Sequence, residues 1–254
     1  GKLLFPRRAV EDWMAAHSSG GAAVPNRRGR VFLGSHDPLL EWTLRASGTD
    51  LATLLDGSLD GLGRFEHGEG QATALHIYDP ESGAWNVPAV SQRFARAPVA
   101  LLEFAWRQRG LVVAPGMESR YPDLQSIAGA RIVPRQASSG SQVLLSHLLA
   151  DAGMAADELI WTETADTETE AAIAVLEQKA DAALGLQAVA QKLRLGFVPL
   201  VRERFDILVD RAAWFDPPLQ RLFAFCRTEA FAEKAAEFSG YDTAGLGTVH
   251  FNGA

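Results

Sequence analysis

One phrase recurs along most of this chain, an apolar run, a turn and then a helical period, and few folds accommodate it. VFLGS leads into DPLLEWTLRA, TDLATLLDGS into LDGLGRFEHGE, and ATALHIYDP closes a first series. A second series follows. VALLEFAWRQRGLVVAPG reads as a long strand region, ARIVPR as a strand, SGSQVLLSHLLADAG as a helix and LIWTETA as a strand. TETEAAIAVLEQKA is then a helix, ADAALGL a strand, QAVAQKL a helix, and GFVPLVRERFDILVD a returning strand. Helices over 216 to 238, built on DPPLQRLFAFC and EAFAEKAAEF, come last. Alternation of this kind predicts an α/β fold. No sequence repeat suggests a solenoid or propeller.

Two passages stand out by their length. Residues 99 to 114 and 197 to 209 are each long enough to run from one packed sheet into another, which makes them the natural hinge crossings. If both cross, residues 31–105 with 206–254 form one lobe and residues 106–205 the other, with a cleft between them. At 254 residues and 47% hydrophobic composition the chain has material for two such lobes, each with its own core.

Charge and residue usage narrow the function. With 24 basic and 31 acidic side chains the net charge is −7, so the bulk of the chain is a poor partner for a phosphate backbone. The lone cysteine, Cys226, excludes an internal disulfide and reads as a buried thiol in a reducing compartment. Histidines 17, 36, 67, 76, 147 and 250 show no metal spacing, and neither a metal nor a cofactor is expected. The N-terminus has no uninterrupted apolar core of a signal peptide, and no stretch reaches the roughly 20 apolar residues of a membrane span. The expectation is a cytoplasmic protein without a membrane partner.

The polar loops carry the chemistry. In PRQASSGSQVLL, residues 134 to 145, a strand gives way to an apolar helix through Arg135, Ser138, Ser139, Gly140 and Ser141. Free backbone N–H groups at a helix start, hydroxyls beside them and a glycine that lets a ligand approach form an anion cradle, to which Arg135 adds a planar charged fork. A serine N-cap needs one serine, and this loop has three. LGSHDPLLEW repeats the theme with Ser35 and His36 ahead of Asp37, the expected N-cap, and LLDGSLDGL sets Ser58 at a third helix start. In an open α/β sheet such loops lie at the carboxyl ends of strands, where ligands bind. His76 ends a strand and is a further candidate donor, with a satisfied structural histidine the equal alternative, and Thr167 precedes another helix at a cleft edge, where capping is the simpler account. For catalysis the chain offers no GxSxG, P-loop or GxGxxG and no evident acid and base pair. At the hinge Arg107 or Arg109 could face the cleft, with exposure at the surface the favoured fate, and residues 240–247 are expected to close on the first lobe without chemistry.

Two resemblances add to this reading. FPRRAVEDWM resembles the closing strand and helix of an excisionase-type winged helix-turn-helix, which implies that residues 1–17 end a DNA-binding unit otherwise absent from this chain; an unrelated amphipathic arm is the plain alternative. Residues 18–30, SSGGAAVPNRRGR, then read as a linker. The phrases GSHDPLLEW, GSLDGLGRFEHGEGQATALHIYDPESGAWN, RQRGLVVAPG, IVPRQASSGSQVLLSHLL, ADAALGLQAVAQ, FVPLVRERFDILV and GYDTAGLG resemble the periplasmic-binding-protein-like domains (type II, similar to molybdate and tungstate receptors) fused to helix-turn-helix regulators or to molybdopterin-biosynthesis proteins. That resemblance implies a two-lobed fold, no catalysis, and a small oxyanion, molybdate or tungstate first, held by Ser35, Ser58 and the 135–141 loop. Asp37 departs from it, because a carboxylate repels an anion unless it turns away to cap its helix. A carboxylate- or sulfur-bearing metabolite, a molybdopterin-type ligand, an enzyme or a molybdenum-cofactor-handling subunit on the same fold, and a homodimer all stay open.

Overall fold

The computed structural model describes residues 28–254. Each apolar run becomes a strand and each helical period a helix. β1 (Val31–Gly34) pairs in parallel with β2 (Ala52–Leu54) on one side and β3 (Ala72–Leu75) on the other. The crossovers are α1 (Pro38–Ala46) and α2 (Ser58–Glu66). α1 starts where Pro38 fixes the backbone at its first position and Asp37 Oδ1 accepts a hydrogen bond from Leu40 N at 2.7 Å. It buries Leu39, Leu40 and Leu44 against Phe32, Phe104 and Phe205. Each such side chain contributes about 2 kcal/mol by leaving water.

The expected crossings are β6 (Val99–Val113) and β10 (Gly196–Asp210), paired antiparallel from Val99 opposite Asp210 to Val113 opposite Gly196. β3 pairs with the Asp206–Val209 end of β10, and β9 (Ala182–Leu186) with the Arg109–Val113 end of β6. β7 (Arg131–Val133) and β8 (Ile160–Trp161) extend the far side, giving the order β2-β1-β3-β10-β6-β9-β7-β8. The expectation of two separate sheets therefore becomes one continuous sheet, because the two crossing strands pair with each other along their whole length. Its halves are the two lobes. The ladder shifts register between Phe205 and Asp206, close to where it passes from one half to the other.

Each half is covered on both faces. In the first lobe one face packs against α1, α7 (Pro217–Phe225) and α8 (Glu229–Ala236), the other against α2 and α3 (Val87–Phe94). In the second, α4 (Gly140–Asp151) covers one face, and α5 (Glu168–Leu176) with α6 (Gln187–Lys192) the other. A hairpin of β4 (Tyr78–Asp79) and β5 (Ala84–Trp85) extends from the first lobe, and its Tyr78 ring stacks on His147 of α4 at 4.8 Å. The chain ends with β11 (Tyr241–Asp242) and β12 (Val249–Asn252), both on β6. Among the described residues no helix is long and apolar enough to cross a membrane. Residues 1–17 and most of the 18–30 linker lie outside the described residues.

Candidate functional site

The hydroxyl-bearing loops meet. Ser35, leaving β1, is buried with its Oγ 2.6 Å from Ser58 Oγ, the first residue of α2. Ser58 Oγ also accepts a hydrogen bond from His76 N at 3.1 Å. Gly57 precedes it at φ 125°, a conformation that side chains other than glycine's resist, and a Cβ there would lie 3.1 Å from Ser138 O of the other lobe. Next to it Leu59 N donates to Ser138 O at 3.1 Å. Ser139 caps α4 by accepting from Gln142 N. Gly140 faces His76 so closely that a Cβ would sit 2.5 Å from the His76 carbonyl oxygen. The starts of α2 and α4 thus touch across the lobes.

Behind them lies a buried ionic chain. Arg107 and Arg109, neighbours on one face of β6, are both 0% exposed. Arg107 donates to Asp37 Oδ2 at 2.6 Å and to Glu203 Oε1 at 2.5 Å, and its guanidinium stacks over the Phe205 ring at 4.0 Å. Glu203 belongs to β10, opposite Arg107 in the ladder. Its other oxygen lies 2.8 Å from Arg109 Nε and 3.1 Å from His76 Nδ1. Arg109 continues into the second lobe, donating to Glu168 Oε1 at 3.0 Å from both terminal nitrogens and to Ser141 Oγ at 3.1 Å. Ser141 donates to the same Glu168 oxygen at 2.5 Å, and Arg135 Nη1 lies 3.2 Å from it. The Tyr241 hydroxyl donates to Asp37 from the chain's last segment.

The charges compensate one another. Burial alone pushes the Glu168 carboxyl up, but Arg109, Arg135 and the Ser141 hydroxyl outweigh it and hold it at about 2. Burial opposes ionisation of Glu203 too, and Arg107 and Arg109 hold it well below the usual carboxylate range. His76 is driven the other way, its pKa lowered by burial against the pull of Glu203, so its ring is neutral at pH 7. Three guanidinium groups (Arg107, Arg109, Arg135) face three carboxylates (Asp37, Glu168, Glu203) in the cluster.

Of the residues singled out by sequence, Ser35, Ser58, His76, Gly140 and Ser141 are brought together. Ser138 takes part through its carbonyl and Ser139 as a cap. Arg135 reaches the cluster with one nitrogen while its Nε and Nη2 hold the carbonyls of Ala165 and Asp166. Thr167 caps α5 through Glu170 N, and the His36 ring bonds Glu41 on α1 at 3.1 Å. Asp37 turns to cap α1, as expected.

Three expectations are corrected. Arg107 and Arg109 are core residues, because the face of β6 that carries them packs against Asp37, Glu203 and Glu168, while the other face of the crossing, with Gln108 and Arg202, is the one that meets solvent. The 240–247 segment does carry a polar group of the site, Tyr241. His76 and Glu203 form the buried titratable pair that sequence did not reveal, as they stand 127 residues apart. Sequence reasoning also passed over Glu168, which reads as an ordinary first-turn acid of α5. The available signal was two arginines at strand spacing inside an otherwise apolar run, with Glu203 and Phe205 at the same spacing in the other crossing strand.

A family model described as the PBP superfamily domain matches residues 41–227. The uncharacterized protein YvgK of Bacillus subtilis (strain 168) is 30% identical over 197 residues, covering 76% of this chain and 63% of that protein. The chain thus spans less than two thirds of that relative's length. Among solved structures, PhnD1 from Prochlorococcus marinus (MIT 9301) in complex with methylphosphonate aligns with a TM-score of 0.55 at 11% identity, over 85% of this chain and 92% of that one. The effector binding domain of QuiR in complex with shikimate aligns with a TM-score of 0.53 at 13% identity, over 78% of this chain and 95% of that one. At these identities the likeness is one of fold.

Proposed function

The chain belongs to the PBP superfamily domain family, and from that premise we propose that it is a cytoplasmic sensor domain whose lobes, residues 31–105 with 206–254 and residues 106–205, close on a small oxyanion. The observation that carries this reading is the meeting of hydroxyls and helix starts from both lobes, Ser35 and Ser58 on one side and Ser141 on the other, around the buried Arg109 and His76. Hydroxyls and helix N-termini offer donors at fixed positions, which suits a compact polyoxygen anion. Asp37, the residue that argued against an anion, is consumed by the α1 cap, Arg107 and Tyr241.

Molybdate and tungstate are the first ligands to test, on the resemblance of the loop phrases to receptors for those ions. The carboxylate of shikimate in the QuiR complex and the methylphosphonate of PhnD1 make carboxylates and phosphonates the next. Ligand-driven closure then biases a DNA-binding unit joined through the N-terminal linker, because a ligand that contacts both lobes binds the closed state better than the open one. Isothermal titration of the full chain and of Ser58→Ala with molybdate, tungstate and sulfate tests the reading. Loss of one hydroxyl contact is expected to cost about 1 kcal/mol, roughly fivefold in affinity. Heat from none of the three ions removes the oxyanion assignment.

One observation favours a second reading, an enzyme on the same fold. His76 and Glu203 are a buried acid and base pair beside the crossing strands. A reaction needs a nucleophile at the free side of that ring, and Ser58 Oγ is bonded to the backbone N of His76. Binding is therefore the better-supported function.

A further inference from the structure

The second lobe already holds an anion in its cradle, and the chain supplies it. Arg109 with both terminal nitrogens, Arg135 Nη1 and Ser141 Oγ converge on one carboxylate, Glu168, which is 3% exposed. Ser141 and Arg135 belong to the loop that reads in the sequence as an anion site. Resting on the oxyanion reading above, we propose that Glu168 is an internal competitor for the ligand, and that an incoming anion takes Arg109, Arg135 and Ser141 only as the Glu168 side chain leaves them.

Charge balance requires the exchange. The three guanidinium groups of the cluster are matched by Asp37, Glu168 and Glu203, so a dianion added without displacement leaves a buried excess of two negative charges. Such an excess is expensive to desolvate. If Glu168 moves into water as the dianion enters, the excess falls to one, and the dianion inherits a ready-made set of donors. The route out is short. Glu168 is the first residue of α5, directly after half-buried Thr167 and exposed Asp166, so solvent lies within a few residues of its side chain along the helix start. Asp37 and Glu203 lack that freedom, because one caps a helix and both are 0% exposed between fixed partners. An internal carboxylate of this kind raises the anion concentration needed for closure.

The test is a titration of the full chain, wild type, Glu168→Gln and Glu168→Asp, with sulfate and molybdate at fixed ionic strength, alongside thermal unfolding. Glutamine keeps the volume and removes the charge, and aspartate withdraws the carboxylate by one methylene. Removing the competitor is expected to tighten molybdate binding by about tenfold or more, the size of one charge-assisted contact. E168Q should also unfold at a lower temperature without the ions and recover when either is added, with E168D intermediate. If E168Q does not fold, E168D against wild type decides. Wild type binding molybdate while both variants bind it no more tightly would overturn the proposal and leave the receptor reading standing, with Glu168 a strut for the arginines. Binding by the variants alone would support Glu168 as a competitor and end the assignment of an oxyanion to the wild-type chain. Binding by none of the three ends both.

Discussion

Gly140→Ala is the substitution that most directly measures whether the lobes close as described. A Cβ at residue 140 would lie 2.5 Å from His76 O, 2.8 Å from His76 Cε1 and 2.9 Å from His76 Nδ1, where ordinary contact begins at 3.4 Å. The nearest atom is backbone, and the His76 ring is held by Glu203, so neither moves aside easily. The relief available is to part the lobes there by the difference, about 0.9 Å. Overpacking of that kind costs about 1–3 kcal/mol. If ligand binding requires closure, the same free energy appears as an affinity loss of roughly 5- to 150-fold. Gly63 in α2 is the control, because a Cβ there meets nothing within 4 Å; Gly63→Ala should be neutral or slightly stabilising and leave affinity alone. The assay is calorimetric titration of wild type and both variants with whichever anion the wild type takes, with urea unfolding of each. An unchanged dissociation constant for Gly140→Ala would refute the closed contact between α4 and His76 as part of the binding state.

Two further outcomes follow from the buried groups. Glu168, held at about 2, and Glu203, held well below its ordinary value, keep protons off in the folded chain at pH values where the unfolded chain binds them. Their stabilisation is therefore present at neutral pH and is lost as the pH falls below about 4.5, with Glu168 alone contributing on the order of 3 kcal/mol. His76, with its lowered pKa, adds to the same side by losing stability below its unfolded value near 6.5. Asp206, raised to about 6 by burial, gains stability as the pH falls from 6 towards 4 and offsets His76 there, so urea midpoints should fall mainly between pH 4.5 and pH 2.5; a flat profile over that range would contradict the ionic cluster. Cys226, whose thiol burial pushes up to about 12, should resist a thiol reagent at pH 8 in the native chain and react at once in urea.

The fold and the hydroxyl loops were legible because their signals are local. A serine or glycine between an apolar strand and an apolar helical period marks a helix start wherever it occurs, and Ser35, Ser58, Ser139 and Ser141 each announced themselves within a dozen residues. Asp37 before Pro38 did the same for its cap. The ionic centre was hidden because its members come from distant parts of the chain: Arg107 on one crossing strand, Glu203 on the other, His76 after a third strand and Glu168 at a helix start. Charge inside an apolar run reads as exposure by default, and only the pairing of β6 with β10 sets Glu203 opposite Arg107. The whole-length pairing of the crossing strands was equally invisible, since two long apolar runs do not say whether they meet each other or separate sheets.

The distribution of strong and weak contacts gives the site its mechanical character. The charge-bearing bonds do not span the opening. Arg107, Arg109 and Glu203 lie on the crossing strands themselves, and Asp37 and Glu168 tie those strands to one lobe each. Across the lobes lie the Leu59 N to Ser138 O bond, the close glycine surfaces of Gly57 and Gly140, Tyr78 stacked on His147, and Trp85 of the hairpin buried in the second lobe's core. A backbone hydrogen bond and an aromatic contact contribute about 1 kcal/mol each. Burial of Trp85 adds roughly 2–3 kcal/mol, so in the proposed sensor parting the lobes would cost several kcal/mol, most of it apolar rather than ionic.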